Sequence, residues 1–172
     1  TYVSSEKPSD TSDKRWRFRI HSPVSLDLYD EEGNHTGLVA TAPDSDFRRF
    51  EAEIPNSYYK EFGEVKYAGA GSGEPVAVVL IGQDTGTFTL EIEEVQGDAV
   101  EETSVFADIP VVEGTRASVE DVGGTAAPSL SLDVNNDGVS DASVAPGEGL
   151  TSQELIGILR GIIQTLGLPV EK

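Results

Sequence analysis

The chain has 172 residues with 31 acidic and 12 basic side chains, a formal net charge of −19, a pI near 4.2, no cysteine and no methionine. That length suggests one domain with a real core, and the missing cysteine excludes disulfides and thiolate metal sites. So acidic a surface argues against nucleic acid and anionic membranes, which need Lys and Arg, and no apolar run approaches the ~20 residues that cross a bilayer; we expect no nucleic-acid partner and no membrane insertion.

The same charge attracts divalent cations and suits a secreted or cell-surface protein, or one from a salty milieu; plain solubility is the simpler reading. No signal-peptide pattern opens the chain, and no methionine stands at position 1, so we expect a processed product or a piece of a larger chain. Residues 1–13 are polar and Ser/Pro-containing, which predicts a flexible arm.

Residues 14–20 read as the first strand. Trp16, Phe18 and Ile20 alternate with Arg15, Arg17 and Arg19. The arginine face suits an anion or carbohydrate, or cross-strand pairing with Glu91 and Glu93 or with Glu51 and Glu53. His21-Ser22-Pro23 breaks the strand. Residues 24–29 form the next, with Leu26 and Leu28 inward and Asp27 and Tyr29 outward, and residues 30–33 are turn chemistry. Asn34-His35-Thr36 is a glycosylation sequon in a secretory cell and otherwise a turn before a short strand at 38–41.

Residues 47–54 alternate with Phe50, Ala52 and Ile54 on one face, and Pro55 ends them. Residues 56–62 fit one helical turn capped by Asn56 or Ser57. Its Tyr58, Tyr59 and Phe62 suit a sugar platform or, more commonly, core packing. Residues 64–68 read as a strand and 69–73 as a flexible glycine loop; the latter matches neither a dinucleotide fingerprint, nor a Walker loop, nor a nucleophile elbow.

The apolar run 76–81 reads as a strand buried on both sides. Residues 87–94 alternate, with Phe88, Leu90 and Ile92 inward, and pair with that run as a hairpin across the turn 82–86. From Tyr67 to Ile92 this resembles the closing hairpin of pre-peptidase C-terminal-like β-sandwich modules, which are non-catalytic appendages of secreted hydrolases. Residues 104–112 carry Pro110 and suit an edge strand. Residues 115–122 alternate through Ala117 and Val119, and 129–132 bring Leu130 and Leu132 to the core.

Residues 133–141 then read Asp-Val-Asn-Asn-Asp-Gly-Val-Ser-Asp. Calcium takes six to eight oxygens, and a short loop supplies several when acids or amides occupy alternate positions before a turn-making glycine. Asp133, Asn135 and Asp137 hold positions one, three and five, Gly138 six, the Val139 carbonyl seven and Asp141 nine. Position twelve is Val144 instead of a bidentate Glu, which places the expected affinity at roughly 10⁻⁴ to 10⁻³ M. The alternative is a solvated Asx-rich turn. The nine residues resemble the calcium loops of dockerins and thrombospondin type-three repeats. That resemblance implies calcium bound for folding and rigidity and, for dockerins, a protein partner; dockerins usually carry two such loops, and this chain carries one.

Residues 145–149 form a hinge. Thr151 and Glu154 then match a capping box that opens a helix over 151–167. Leu155, Leu159, Ile162 and Leu166 make an apolar stripe, widened by Ile156, Ile158 and Ile163, with Arg160 as the central charge. Such a helix docks on its own domain or pairs with another chain. Catalysis has little support: the two histidines, His21 and His35, lack zinc-site spacing, and acid pairs carry no information in so acidic a chain.

These features predict an all-β antiparallel sandwich, Ig-like or jelly-roll-like, over 14–145, with a C-terminal helix over 151–167. We expect no enzyme. The expected function is a calcium-stabilised accessory or adhesion module of a larger secreted or surface protein, with a carbohydrate or protein ligand. The alternative is a protein-docking module acting through Leu155, Leu159, Ile162 and Leu166; a hydrolase is the third class.

Overall fold

The computed structural model describes residues 14–21, 23–41, 47–73 and 75–167; the polar arm expected over 1–13 lies outside them. Twelve strands form two antiparallel sheets, and one helix follows. The first sheet contains β1 (Lys14–His21), β5 (Tyr58–Phe62), β6 (Val65–Gly71), β8 (Gly86–Gln96) and β9 (Ala99–Val111), in the order β5-β6-β1-β8-β9. The second contains β2 (Asp27–Asp30), β3 (His35–Ala40), β4 (Arg48–Ala52), β7 (Val76–Ile81), β10 (Arg116–Val122), β11 (Leu130–Asp133) and β12 (Ala142–Val144), in the order β12-β11-β10-β7-β2-β3-β4. Helix α1 (Ser152–Thr165) closes the described chain.

The two sheets share one core, the sandwich that the period-2 alternation predicts. Phe18, Ile20, Phe88, Leu90 and Phe106 of the first sheet meet Leu28, Val78, Leu80, Val119 and Leu130 of the second. The arginine face of β1 is settled by register. Arg17 stands opposite Glu93 and Arg19 opposite Glu91; Arg17 Nε donates to Glu93 at 2.6 Å, and Arg19 pairs with Glu91. Lys14 reaches Glu94 at 2.5 Å. Arg17 and Arg19 thus neutralise a strand of their own sheet, while Arg15 stands opposite Val95. Pro110 sits on β9, an edge strand, where its missing N–H costs no ladder bond.

Four expectations are corrected. Residues 58–62 form strand β5 instead of a helical turn, because Tyr58 to Phe62 pair along β6. Asn56 is a left-handed turn residue, φ 58°, and not a helix cap. Residues 69–71 belong to β6 and not to a loop. Gly69 faces Tyr58 across the ladder, and a Cβ there would meet the Tyr58 ring, so the glycine makes room for the aromatic ring. Phe50 and Ala52 lie exposed on edge strand β4, while Ile54 alone of that trio is buried.

The last correction concerns 76–94. β7 and β8 are not a hairpin; they lie in different sheets. The connection between them crosses the sandwich, where Gly82 N–H donates to the Thr115 carbonyl at 2.8 Å and the Gly82 carbonyl accepts from Gly114 N–H at 2.9 Å. A Cβ on Gly82 would clash with the Val112 carbonyl. Two crossovers therefore stitch together at a glycine, leaving β7 free to pair with β2 and β10.

Candidate metal centre

Strands β11 and β12 are antiparallel, with Leu132 opposite Ala142. Residues 133–141 are the loop between them, closed by Asp141 N–H donating to the Leu132 carbonyl at 2.7 Å. Val134 is 1% exposed and anchors the loop in the core, where its carbonyl accepts from Thr115 Oγ1 at 3.3 Å. Asp133, delivered by β11, is 7% exposed.

Inside the loop the acids organise the backbone. Asp133 Oδ1 accepts from Asp137 N–H at 3.1 Å and its Oδ2 from Gly138 N–H at 2.8 Å. Asn135 Oδ1 also accepts from Asp137 N–H, at 3.1 Å. Asp137 Oδ1 accepts from Val139 N–H at 2.9 Å, and its Oδ2 from Asn135 Nδ2 at 2.8 Å. Asp141 Oδ2 accepts from Val134 N–H at 2.8 Å. Gly138 turns the chain at φ 87°, and Asn136 at φ 55°.

The donor set suits a hard cation, being carboxylate, amide and carbonyl oxygen only. None of Asp133, Asp137 and Asp141 has an ion-pair partner among the described residues. Their side chains are spread along the turn: among the described residues no group of three or more His, Cys, Asp or Glu side chains is gathered as a metal site. The carboxylates are held by N–H groups of the loop itself, Asp133 by Asp137 and Gly138, Asp137 by Val139, and Asp141 by Val134. Val139, whose carbonyl is the expected seventh-position donor, is exposed.

Helix α1 lies against this loop. Its capping box forms as expected: Thr151 Oγ1 accepts from Glu154 N–H at 3.3 Å, and Glu154 Oε2 accepts from Thr151 N–H at 2.5 Å. The hydrogen bonds from Thr151 hold the Glu154 carboxyl below its ordinary range. The docked face is narrow. Ile158 is 2% exposed, Gly161 is buried, and Ile162 packs partly against the core. A Cβ on Gly157 would collide with the Asp141 carbonyl; one on Gly161 would stand 2.7 Å from Val134 Cβ and 2.8 Å from Asp141 Oδ2. Asn135 Nδ2 donates to Gln164 Oε1 at 2.7 Å.

Of the expected partner-binding stripe, only Ile162 turns inward; Leu155, Leu159 and Leu166 are 40%, 55% and 65% exposed. The residues that seat the helix on the loop, Gly157 and Gly161, are legible in principle as small residues four apart, a spacing that lines one helical face.

A second polar cluster lies on the outer face of the second sheet. His35 Nδ1 is 2.9 Å from Glu51 Oε2, and His35 Nε2 is 3.0 Å from Asp27 Oδ1. Ser25 Oγ donates to Asp27 Oδ2 at 2.8 Å. The order in space is Ser-Asp-His, so the imidazole does not touch the hydroxyl and the arrangement is not a nucleophilic triad. No family model, no curated protein and no solved structure matches the chain.

Proposed function

We propose that this protein is a non-catalytic β-sandwich accessory or adhesion module of a larger secreted or cell-surface protein, stabilised by calcium at residues 133–141. The observation that carries the reading is Asp133. Its carboxylate is buried without a cationic partner among the described residues, at the head of a loop that repeats oxygen donors at alternate positions before a left-handed glycine. Bound calcium supplies the positive charge that three carboxylates within nine residues lack. Asp133, Asn135, Asp137, Asp141 and the Val139 carbonyl are its ligands. Ordering Asp141 also orders the surface on which Gly157 and Gly161 rest, so the ion stiffens the helix seat.

The test is a thermal melt in EDTA against millimolar calcium, with magnesium as control. Binding to the folded state alone contributes RT ln(1 + [L]/Kd), about 1.4–2.7 kcal/mol at ten to a hundred times Kd. A rise specific to calcium that disappears in Asp137→Ala is the expected result. No shift, or an equal one with magnesium, reduces the loop to an Asx turn.

A second reading rests on a separate observation: Leu155, Ile156, Leu159 and Leu166 leave an apolar helix face uncovered. On this reading α1 docks a protein partner. A chain that sediments as a monomer at high concentration, captures no partner and loses nothing in Leu155→Glu/Leu159→Glu would remove it.

A further inference from the structure

Helix α1 packs beside β12, the three-residue strand at the edge of the second sheet, so it lies along the flank of the sandwich. It is seated through Ile158 and Gly161. On its far side Ile156, Leu159, Ile163 and Leu166 follow one another at alternating steps of three and four residues. With 3.6 residues per turn they fall within an arc of about 80°, centred about 150° from the seated face. Ile156, Leu159 and Leu166 are exposed and Ile163 is half-buried.

That spacing is the seam of a coiled coil. Written as a heptad, Ile156 and Ile163 stand at a, and Leu159 and Leu166 at d. Isoleucine at a with leucine at d is the combination that favours two parallel strands. Charge points the same way. A two-fold interface sets one patch against itself, so a charged patch meets its own sign. In a chain of net charge −19, α1 carries only Glu154 and Arg160, which cancel, and Glu154 is turned back onto its cap. In a parallel pair Arg160 stands at e beside Leu155 at g of the other helix, and its methylene stem covers that leucine. An antiparallel pair on the same stripe sets Arg160 against its own copy near the middle of the seam.

We propose that the partner of α1 is a second copy of this chain, the two helices pairing in parallel along Ile156, Leu159, Ile163 and Leu166; this rests on the reading that α1 is a docking element. Each sandwich then lies on the outer side of its own helix. The capping box and the Ile158 contact already hold α1 folded, so pairing carries no cost of ordering it. A seam on a 14-residue helix is short, below the ~1,200 Å² of a standard stable interface, so the dimer is weak and concentration-dependent.

The experiment is sedimentation equilibrium of the full chain over a wide concentration range, in NaCl from about 10 mM to 1 M, where the Debye length falls from ~30 to ~3 Å. A monomer–dimer equilibrium should appear, and its Kd should fall as salt rises, because screening relieves the repulsion between two acidic copies. Leu159→Glu places two carboxylates across the seam and should raise Kd at least about tenfold; Leu159 is exposed, so the variant keeps the fold. The chain has no cysteine, so Ile156→Cys and Leu166→Cys each introduce a lone thiol at one end of the seam, and each should cross-link to its own copy on mild oxidation. A dimer that loosens with salt or survives Leu159→Glu uses another surface and overturns the proposal. Cross-linking only when the two cysteine variants are mixed means an antiparallel seam and overturns the parallel one. A chain that stays monomeric at every concentration and salt, yet captures a different protein in a way that Leu159→Glu abolishes, overturns self-pairing and leaves the docking reading standing. A monomer that captures nothing removes both.

Discussion

The 133–141 loop and the helix meet at two glycines, and there the usual rule for glycine in a helix reverses. In a helix interior Gly→Ala gains about 1 kcal/mol from propensity. At Gly161 the new methyl would meet Val134 Cβ at 2.7 Å, a core atom with no flexible end to move aside. At Gly157 it would meet the Asp141 carbonyl. Overpacking of this kind costs about 1–3 kcal/mol, so Gly157→Ala and Gly161→Ala should each lower the melting temperature, whereas the exposed Gly149 offers open space to a methyl. A Gly161→Ala variant more stable than the native chain would show that helix and loop are not in contact. The residues of the loop were legible because donor spacing and a turn glycine are local in sequence. The glycines opposite were not, since a search for large apolar side chains passes over the residues whose use is to be small.

At the scale of the element, α1 shows what periodicity finds and what it misses. Its existence, start and cap follow from Thr151, Glu154 and the apolar spacing, all local signals. The face it docks does not follow. Leu155, Leu159 and Leu166 are the bulkier side chains, yet the helix approaches where Gly157 and Gly161 allow it, and this brings Ile158 into the core. Ile158→Ala should therefore cost about 2–5 kcal/mol, and Leu159→Ala should stay within about 0.5 kcal/mol; chemical denaturation of the two variants separates them, and equal effects would contradict this docking. Thr151→Ala should cost about 1 kcal/mol of helix stability, read as faster amide exchange in the first turn. The strands repeat the lesson. β8 was legible from its alternation, whereas β5 carries helix-cap signals that lost to pairing with β6, a contact no local pattern encodes. The hairpin expected at 76–94 failed likewise, because the Gly82 crossover depends on Gly114 and Thr115.

For the whole molecule the governing quantity is a net charge of −19. Like-charge repulsion opposes compaction, and the ladder of Lys14, Arg17 and Arg19 against Glu94, Glu93 and Glu91 offsets it only along one strand pair. Exposed pairs of this kind contribute little, so screening should remove more repulsion than attraction. Melting temperature should rise with NaCl between about 10 mM, where the Debye length is ~30 Å, and 1 M, where it is ~3 Å. Acid acts in two opposed ways. Lowering the pH toward the pI near 4.2 removes net charge and relieves repulsion. Asp30 and Glu154 work against that gain. The Asn34 side-chain hydrogen bond, with backbone N–H bonds behind it, holds the Asp30 carboxyl below its ordinary range, and the Thr151 hydrogen bonds do the same for Glu154. Their folded pKa values are depressed, so the stability they contribute is present above the unfolded carboxylate pKa and is lost as pH falls through the folded one. The expected profile climbs gently from neutral pH to the upper edge of the carboxylate range and then drops, with the 30–34 turn and the first turn of α1 exchanging first. A melting temperature that fell monotonically from pH 7, in low salt as in high, would mean that repulsion is not what limits this fold.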